Sequence, residues 1–197
     1  HPKSTALFEH EYRIELSRAA WQALSRNVGQ CLRNFFRLPL TAEIKKSEPA
    51  HWSIEHWSKV FAFEGTSVWV APDFGYWTGT GRLALVDWKT GGANPEAAAF
   101  QLGCYALYAH EVLGVEPARV DLLEANLREP EVTPHRWSDA RLMEIKEQLR
   151  LSVRSMKAYL VDPDANVAVI NDFEKTEDLR ICRWCNFRAV CRPELGS

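Results

Sequence analysis

The chain has 197 residues, of which 46% are hydrophobic and 25% charged, and a formal net charge of -2. That length supports one domain with a substantial core, and no window approaches the ~18 consecutive apolar residues of a membrane span. The near-neutral balance excludes a globally basic nucleic-acid binder, although not a local basic groove, and no secretory signal is visible.

Phe8 to Ile14 alternate apolar and charged side chains, with little else to fix them. Ser17 is a natural N-cap for an amphipathic helix to about Phe36, whose positions Trp21, Leu24, Val28, Cys31, Leu32 and Phe35 recur at three- and four-residue spacing. Pro39 ends that helix, and residues 40–57 read as a polar connection with room for a helical turn. From Lys59 the pattern becomes strands: 60–64 and 67–71 flank Gly65-Thr66 as a hairpin. Residues 72–76 follow, then a turn at Gly79-Thr80-Gly81, then 83–88. Together they read as three antiparallel strands in a meander, with Asp73 near the middle and Asp87 near the end. Glu96 to Leu113 is a helix with Gly114 as its C-cap and Pro117 against its resumption. Strands are expected at 119–127 and 131–136, and Ser138-Asp139 caps a long helix to about Leu160. Its core face carries Leu142, Ile145, Leu149, Val153 and Met156. The order gives an α/β domain with a mixed central sheet flanked by helices. With no repeat and no linker, residues 1–197 read as a single domain with its core at about 58–160, followed by a loop-rich tail.

Asp73 and Asp87 lie fourteen residues apart, about equally far from the Gly79–Gly81 turn, so they fall opposite each other. On one face of a sheet their Cβ atoms stand ~5 Å apart. Two facing carboxylates repel unless a cation or proton lies between them, and an all-oxygen ligand set suits Mg²⁺ or Mn²⁺. Lys89 points to the same side as Asp87, because side chains alternate with period two along a strand. An isolated Asp-x-Lys reads equally as a strand-end ion pair. Gln101 and Tyr105 share one face of the next helix, which taken alone is ordinary helix surface. Cys104 beside them packs in the core.

The five cysteines are odd in number, and three crowd together as Cys182-x-x-Cys185 and Cys191. That argues for thiolate ligands in a reducing, cytoplasmic setting rather than a disulfide framework. Three thiolates so close can wrap one centre, with Cys31 or Cys104 as the fourth ligand; Cys31 is preferred, because Cys104 lies in the helix of Gln101 and Tyr105. The remaining reading is unliganded buried thiols. Arg180, Arg183, Arg188 and Arg192 interleave with Trp184 and Phe187, a local basic patch for phosphates or a counterweight to thiolates.

The run from Asp73 through Val86-Asp87-Trp88-Lys89-Thr90-Gly91 to Gln101-Leu102-Gly103-Cys104-Tyr105 resembles the PD-(D/E)XK nuclease superfamily. Within it the succession is similar to the RecB-type branch, over about residues 58–113. The resemblance implies a restriction-endonuclease-like fold and metal-dependent hydrolysis of DNA at ends or single strands. The settings it implies are repair, recombination or CRISPR adaptation, with a helicase or other repair proteins as partners. It implies that Asp73, Asp87 and the Trp88 backbone carbonyl hold Mg²⁺ or Mn²⁺, that Lys89 assists the attacking water, and that Gln101 and Tyr105 contact the nucleic acid. The tail is similar to AddB-type and CRISPR-associated RecB-like enzymes, in which one early and three late cysteines ligate a 4Fe–4S cluster that pins the chain ends together. Here these are Cys31, Cys182, Cys185 and Cys191, with structural Zn²⁺ as the alternative. The family's metal-associated histidine has His10 as a candidate by distance, since His51 and His56 fall too close to Asp73. His10 and Cys31 cannot both match, because the family's early cysteine precedes that histidine. A chain without the histidine would be a DNA-binding or assembly module that keeps the fold and the cluster.

Overall fold

The computed structural model describes residues 7–53, 59–92 and 94–195; His56 and Trp57 lie outside the described residues. The helices in chain order are α1 (Phe8–Glu11), α2 (Arg18–Arg37), α3 (Pro39–Lys46), α4 (Pro95–Glu111), α5 (Asp139–Lys157), α6 (Leu179–Cys182) and α7 (Arg188–Cys191). The first strands are β1 (Trp52–Ser53), β2 (Lys59–Phe63), β3 (Thr66–Val70), β4 (Phe74–Trp77) and β5 (Leu83–Lys89). Then come β6 (Val120–Asn126), β7 (Glu131–His135), β8 (Leu160–Asp162) and β9 (Val167–Ala168). Contacts divide the chain into a larger unit of residues 26–154 and a smaller one of residues 1–25 and 155–197.

The larger unit is built on a five-stranded sheet in the order β1-β4-β5-β6-β7. It is mixed: β5 and β6 run parallel, and the other neighbours are antiparallel. A parallel pair needs a crossover, and α4 is that crossover. The expected meander is corrected here, because β2 and β3 form a sheet of their own. Pro72, fully buried between β3 and β4, has no N–H for a ladder, and the chain begins a new sheet after it. Asp73 therefore sits just before β4 rather than inside a strand. The hairpin loop is Glu64-Gly65, with φ of 46° and 78°, the left-handed pair that suits the twist of a two-residue hairpin.

Pro39 also does more than stop α2. It occupies the first turn of α3, after an extended Leu38, where its missing N–H has no partner to lose. The stretch expected as polar connection thus contains a helix that buries Leu40, Thr41 and Ile44. Ser17 caps α2 as expected, its Oγ accepting from the Ala20 N–H at 3.2 Å.

β5 is buried on both faces, as a central strand must be. Leu83 and Leu85 face α4 and α5, in a core with Val120, Leu122, Leu107 and Ile145. Ala84 and Val86 face the other way, with Leu38, Leu40, Ile44 and Cys31. The same parity sends Asp87 and Lys89 to the α4 side. α4 is apolar nearly all round because it lies between the sheet and the β2–β3 hairpin. At Gly103 it approaches α5 so closely that a Cβ would stand 2.6 Å from Ile145 Cγ1 and 3.0 Å from Trp137 Cη2. Asn34 ties α2 to the sheet, its buried Nδ2 donating to the Leu127 carbonyl at 2.7 Å.

Two packing expectations change. Met156 is exposed, since the buried face of α5 ends at Leu149 and the half-buried Val153. On α2, Cys31 is buried as expected, but Trp21, Leu24, Val28 and Leu32 are exposed.

In the smaller unit Tyr12 donates from its hydroxyl to the Asn186 carbonyl at 2.6 Å. The Arg188 guanidinium lies 4.1 Å above the Tyr12 ring. Tyr12 and Cys182 are the buried hydrophobic residues among those described in this unit.

Candidate active site

The site forms where β5 leaves the core. Extending the β4–β5 register one step past Phe74↔Val86 places Asp73 opposite Asp87, as the spacing around the turn predicts. Asp73 Oδ2 accepts the Trp88 backbone N–H at 2.8 Å. Within a strand residue the N–H and C=O point to the same edge, so the Trp88 carbonyl also faces Asp73. The Lys89 carbonyl, one residue on, turns the opposite way and accepts from Leu127 N at 2.7 Å.

α4 supplies the second wall. Asn94 caps it, its Oδ1 accepting from Ala97 N at 3.2 Å, with Pro95 in the first turn. Gln101 and Tyr105, one turn apart, both reach Asp87. Gln101 Nε2 donates to Asp87 Oδ1 at 2.9 Å and its Oε1 accepts from Lys89 Nζ at 2.8 Å. The same Nε2 reaches the Tyr105 hydroxyl at 2.7 Å. That hydroxyl donates to the Ala71 carbonyl at 3.0 Å and stands 3.5 Å from Asp87 Oδ1. Lys89 Nζ is 2.6 Å from Asp87 Oδ2. The contact is a close ion pair rather than an aligned hydrogen bond, so Oδ2 is otherwise unsatisfied. Four of the side chains singled out from the sequence thus gather around the fifth, Asp87, which is only 3% exposed.

Asp73 is an exposed residue whose carboxyl turns in against β5. Desolvation there, with the charge of Asp87 added, moves it above the usual carboxylate range, against the lowering pull of the Trp88 N–H and Lys89. Burial likewise raises the Tyr105 hydroxyl well above an ordinary phenol, so it remains a neutral donor. Burial pushes the Cys104 thiol up to about 11, which makes it an inert packing group.

The donor set fits a hard divalent cation. It offers two carboxylates, one of them with an oxygen that accepts no hydrogen bond, and a carbonyl turned toward the same edge. The cysteines present a different picture. Cys31 is buried in the larger unit, while Cys182, Cys185 and Cys191 belong to the smaller one, and all are free thiols. Among the described residues, no three or more His, Cys, Asp or Glu side chains stand together in a group able to hold a metal ion. His10 is exposed on the one-turn helix α1 of the smaller unit, and His51 is exposed at the end of a short 3₁₀ turn.

One residue at the site escaped sequence reasoning. Glu124 pairs with Asp87 in the parallel β5–β6 register and shares its face, since Leu85 and Leu122 two residues earlier pair within the same core. Its carboxylate meets His135 Nε2 at 3.6 Å. No local motif marks Glu124; only the pairing of β5 with β6 brings it to the site.

A family profile described as the PD-(D/E)XK nuclease superfamily matches the chain over residues 5–192. No match is found among curated proteins.

Proposed function

The chain belongs to the PD-(D/E)XK nuclease superfamily, and on that premise we propose that it is a RecB-type, metal-dependent deoxyribonuclease acting on DNA ends or single strands. What carries this reading is the convergence of Asp73, Lys89, Gln101 and Tyr105 on the buried Asp87. Asp73, Asp87 and the Trp88 carbonyl would hold a Mg²⁺ or Mn²⁺ ion, which would supply Lewis-acid activation of water and offset the charge of the scissile phosphate. Lys89 orients the attacking water and stabilises charge building on the phosphoryl oxygens. Gln101 fixes the lysine through Oε1, and Tyr105, held neutral, becomes a donor for a strand phosphate when its proton turns away from the Ala71 carbonyl. Repair, recombination or related processing is the setting we assign, in the cytoplasm and with a helicase or another repair or recombination protein as associate. No helix among the described residues is long and apolar enough to cross a membrane.

We extend the proposal to the tail: Cys31, Cys182, Cys185 and Cys191 hold a 4Fe–4S cluster that pins residues 176–197 to α2 within a single functional domain, structural Zn²⁺ being the alternative. Support comes from the thin interior of the smaller unit, where Tyr12 and Cys182 are the buried hydrophobics described. A unit with so little core needs a staple. An anaerobic preparation should be brown, with iron and sulfide in equal amounts; a colourless protein with one zinc selects the alternative.

A second reading, in which the chain binds DNA without cutting it, follows from the sequence, where the family's metal-associated histidine has His10 as its candidate without the family's helical context. A nuclease assay on labelled single- and double-stranded DNA, with and without Mn²⁺, separates the two. The first reading expects Mn²⁺-dependent products that Lys89→Ala lowers by about 100-fold or more. Binding indifferent to Mn²⁺, with no product on either substrate, selects the second.

A further inference from the structure

The Lys89 ammonium lies on the side of Asp87 that a cation would use. Oδ1 accepts from Gln101, and Oδ2 lies 2.6 Å from the Lys89 ammonium. A divalent cation at Asp87 would stand within a few ångströms of that ammonium. Two like charges at such a distance in a poorly solvated site repel by several kcal/mol, so Lys89 must leave Oδ2 as the ion arrives. It needs an acceptor within reach of its stem.

Three groups on the same face come into question. Gln101 Oε1 already accepts from Lys89 at 2.8 Å, but it carries no charge to offset the one Lys89 gives up. Asn126 pairs with Lys89 across the strands, yet its Oδ1 is occupied by the Arg128 and Glu129 N–H groups at 2.9 and 3.1 Å. Glu124 remains. It lies one strand from Asp87, a step of ~4.8 Å, and two residues back from the position opposite Lys89. A four-carbon stem spans that diagonal. The Glu124 side chain is 14% exposed and makes no hydrogen bond among the described residues. Among the described residues its partner is the His135 imidazole, whose Nε2 stands 3.6 Å away and makes no hydrogen bond. A half-buried carboxylate with an imidazole as its neighbour has acceptor capacity to spare, and an ammonium that moves onto it gains an ion pair.

We propose that Glu124 is a positioning residue that receives the Lys89 ammonium when a divalent ion takes Asp87. The inference rests on the nuclease reading of the same site. It makes Glu124 neither an ion ligand nor a group that touches substrate. Its role is to make room for the ion and to hold Lys89 where its ammonium faces the reacting phosphate.

The test is a double-mutant cycle read as Mn²⁺ affinity by calorimetry, on the full chain without DNA, with thermal unfolding to confirm that each variant folds. Glu124→Gln should weaken Mn²⁺ binding about tenfold in the wild-type background, a coupling of ordinary size for groups in contact. Lys89→Met should tighten binding, because no ammonium has to be moved. In the Lys89→Met background, Glu124→Gln should have no effect on affinity. Equal weakening in both backgrounds would make Glu124 a direct ligand and overturn the proposal, and so would no weakening in either. If the folded wild-type chain binds no Mn²⁺, the nuclease reading falls and takes this inference with it; if it binds Mn²⁺ and cleaves while Glu124→Gln changes nothing, only this inference falls.

Discussion

Asp73 and Asp87 share a site but live in different surroundings. Asp87 is sealed under α4 and offset by Lys89, whereas Asp73 stands at the mouth with its carboxyl pushed above the usual range by desolvation and by its neighbour. A raised pKa means that the folded chain holds this proton more tightly than the unfolded chain does. The group therefore costs nothing at a pH below its unfolded value. Its cost grows as pH rises from there through the folded value, and is fully present above it. Asp73→Asn removes that cost. The variant should match the wild type in denaturant stability at low pH and become slightly the more stable as pH rises through that window, the difference then holding constant to neutrality. Solvent at the exposed Asp73 keeps the gain small. A gain that is largest at acid pH would contradict the assigned electrostatics. Its loss of Mn²⁺ binding would accompany the gain in stability, as expected where a strained charge serves a ligand.

At the scale of elements, the alignment of α4 on the sheet decides whether Gln101 and Tyr105 reach Asp87, and Gly103 between them sets how near α5 can come. A Cβ at Gly103 would drive into Ile145 and Trp137, both buried, and overpacking of this kind costs about 1–3 kcal/mol. Gly103→Ala should lower the denaturant midpoint accordingly and reduce cleavage by displacing Gln101; an unchanged midpoint would show that α5 yields freely. Most elements were legible because their local signals are strong. Ser17 caps α2, Gly114 closes α4 with φ of 65°, and the β5 run is apolar until Asp87. The meander was misread because strand patterns show where strands lie but not which sheet they join, and a buried Pro72 decided that. Pro39 was read as a stop and is equally a start, since the same missing N–H serves both. The apolar stripe of α2 announced a buried face, and Trp21, Leu24, Val28 and Leu32 are exposed; periodicity specifies an amphipathic helix without specifying what covers it.

For the molecule as a whole, a turn and a strand period in the sequence were sufficient to bring Asp73, Asp87 and Lys89 together, whereas Gln101 and Tyr105, one helical turn apart, reach Asp87 because α4 docks on the sheet. Glu124 was invisible to local spacing. It enters through a parallel pairing made after the α4 crossover, and no local period reports that. The cysteines mark the other limit. Their spacing is a strong sequence signal, but a centre built from four thiolates far apart in the chain depends on long-range placement, and chelation is its natural probe. If those thiolates staple the smaller unit, removing the metal should unfold residues 155–197 to proteolysis while the larger unit, with its own core, stays protected.

The central claim is that Asp87 anchors a divalent ion for phosphodiester hydrolysis. Its most direct test is cleavage of end-labelled single-stranded DNA by the wild-type chain and by Asp87→Asn, across a Mn²⁺ titration. The account predicts products that rise and saturate with Mn²⁺ for the wild type and none above background for the folded variant. Equal cleavage by both, or cleavage by the wild type that persists when Mn²⁺ is chelated, would contradict it.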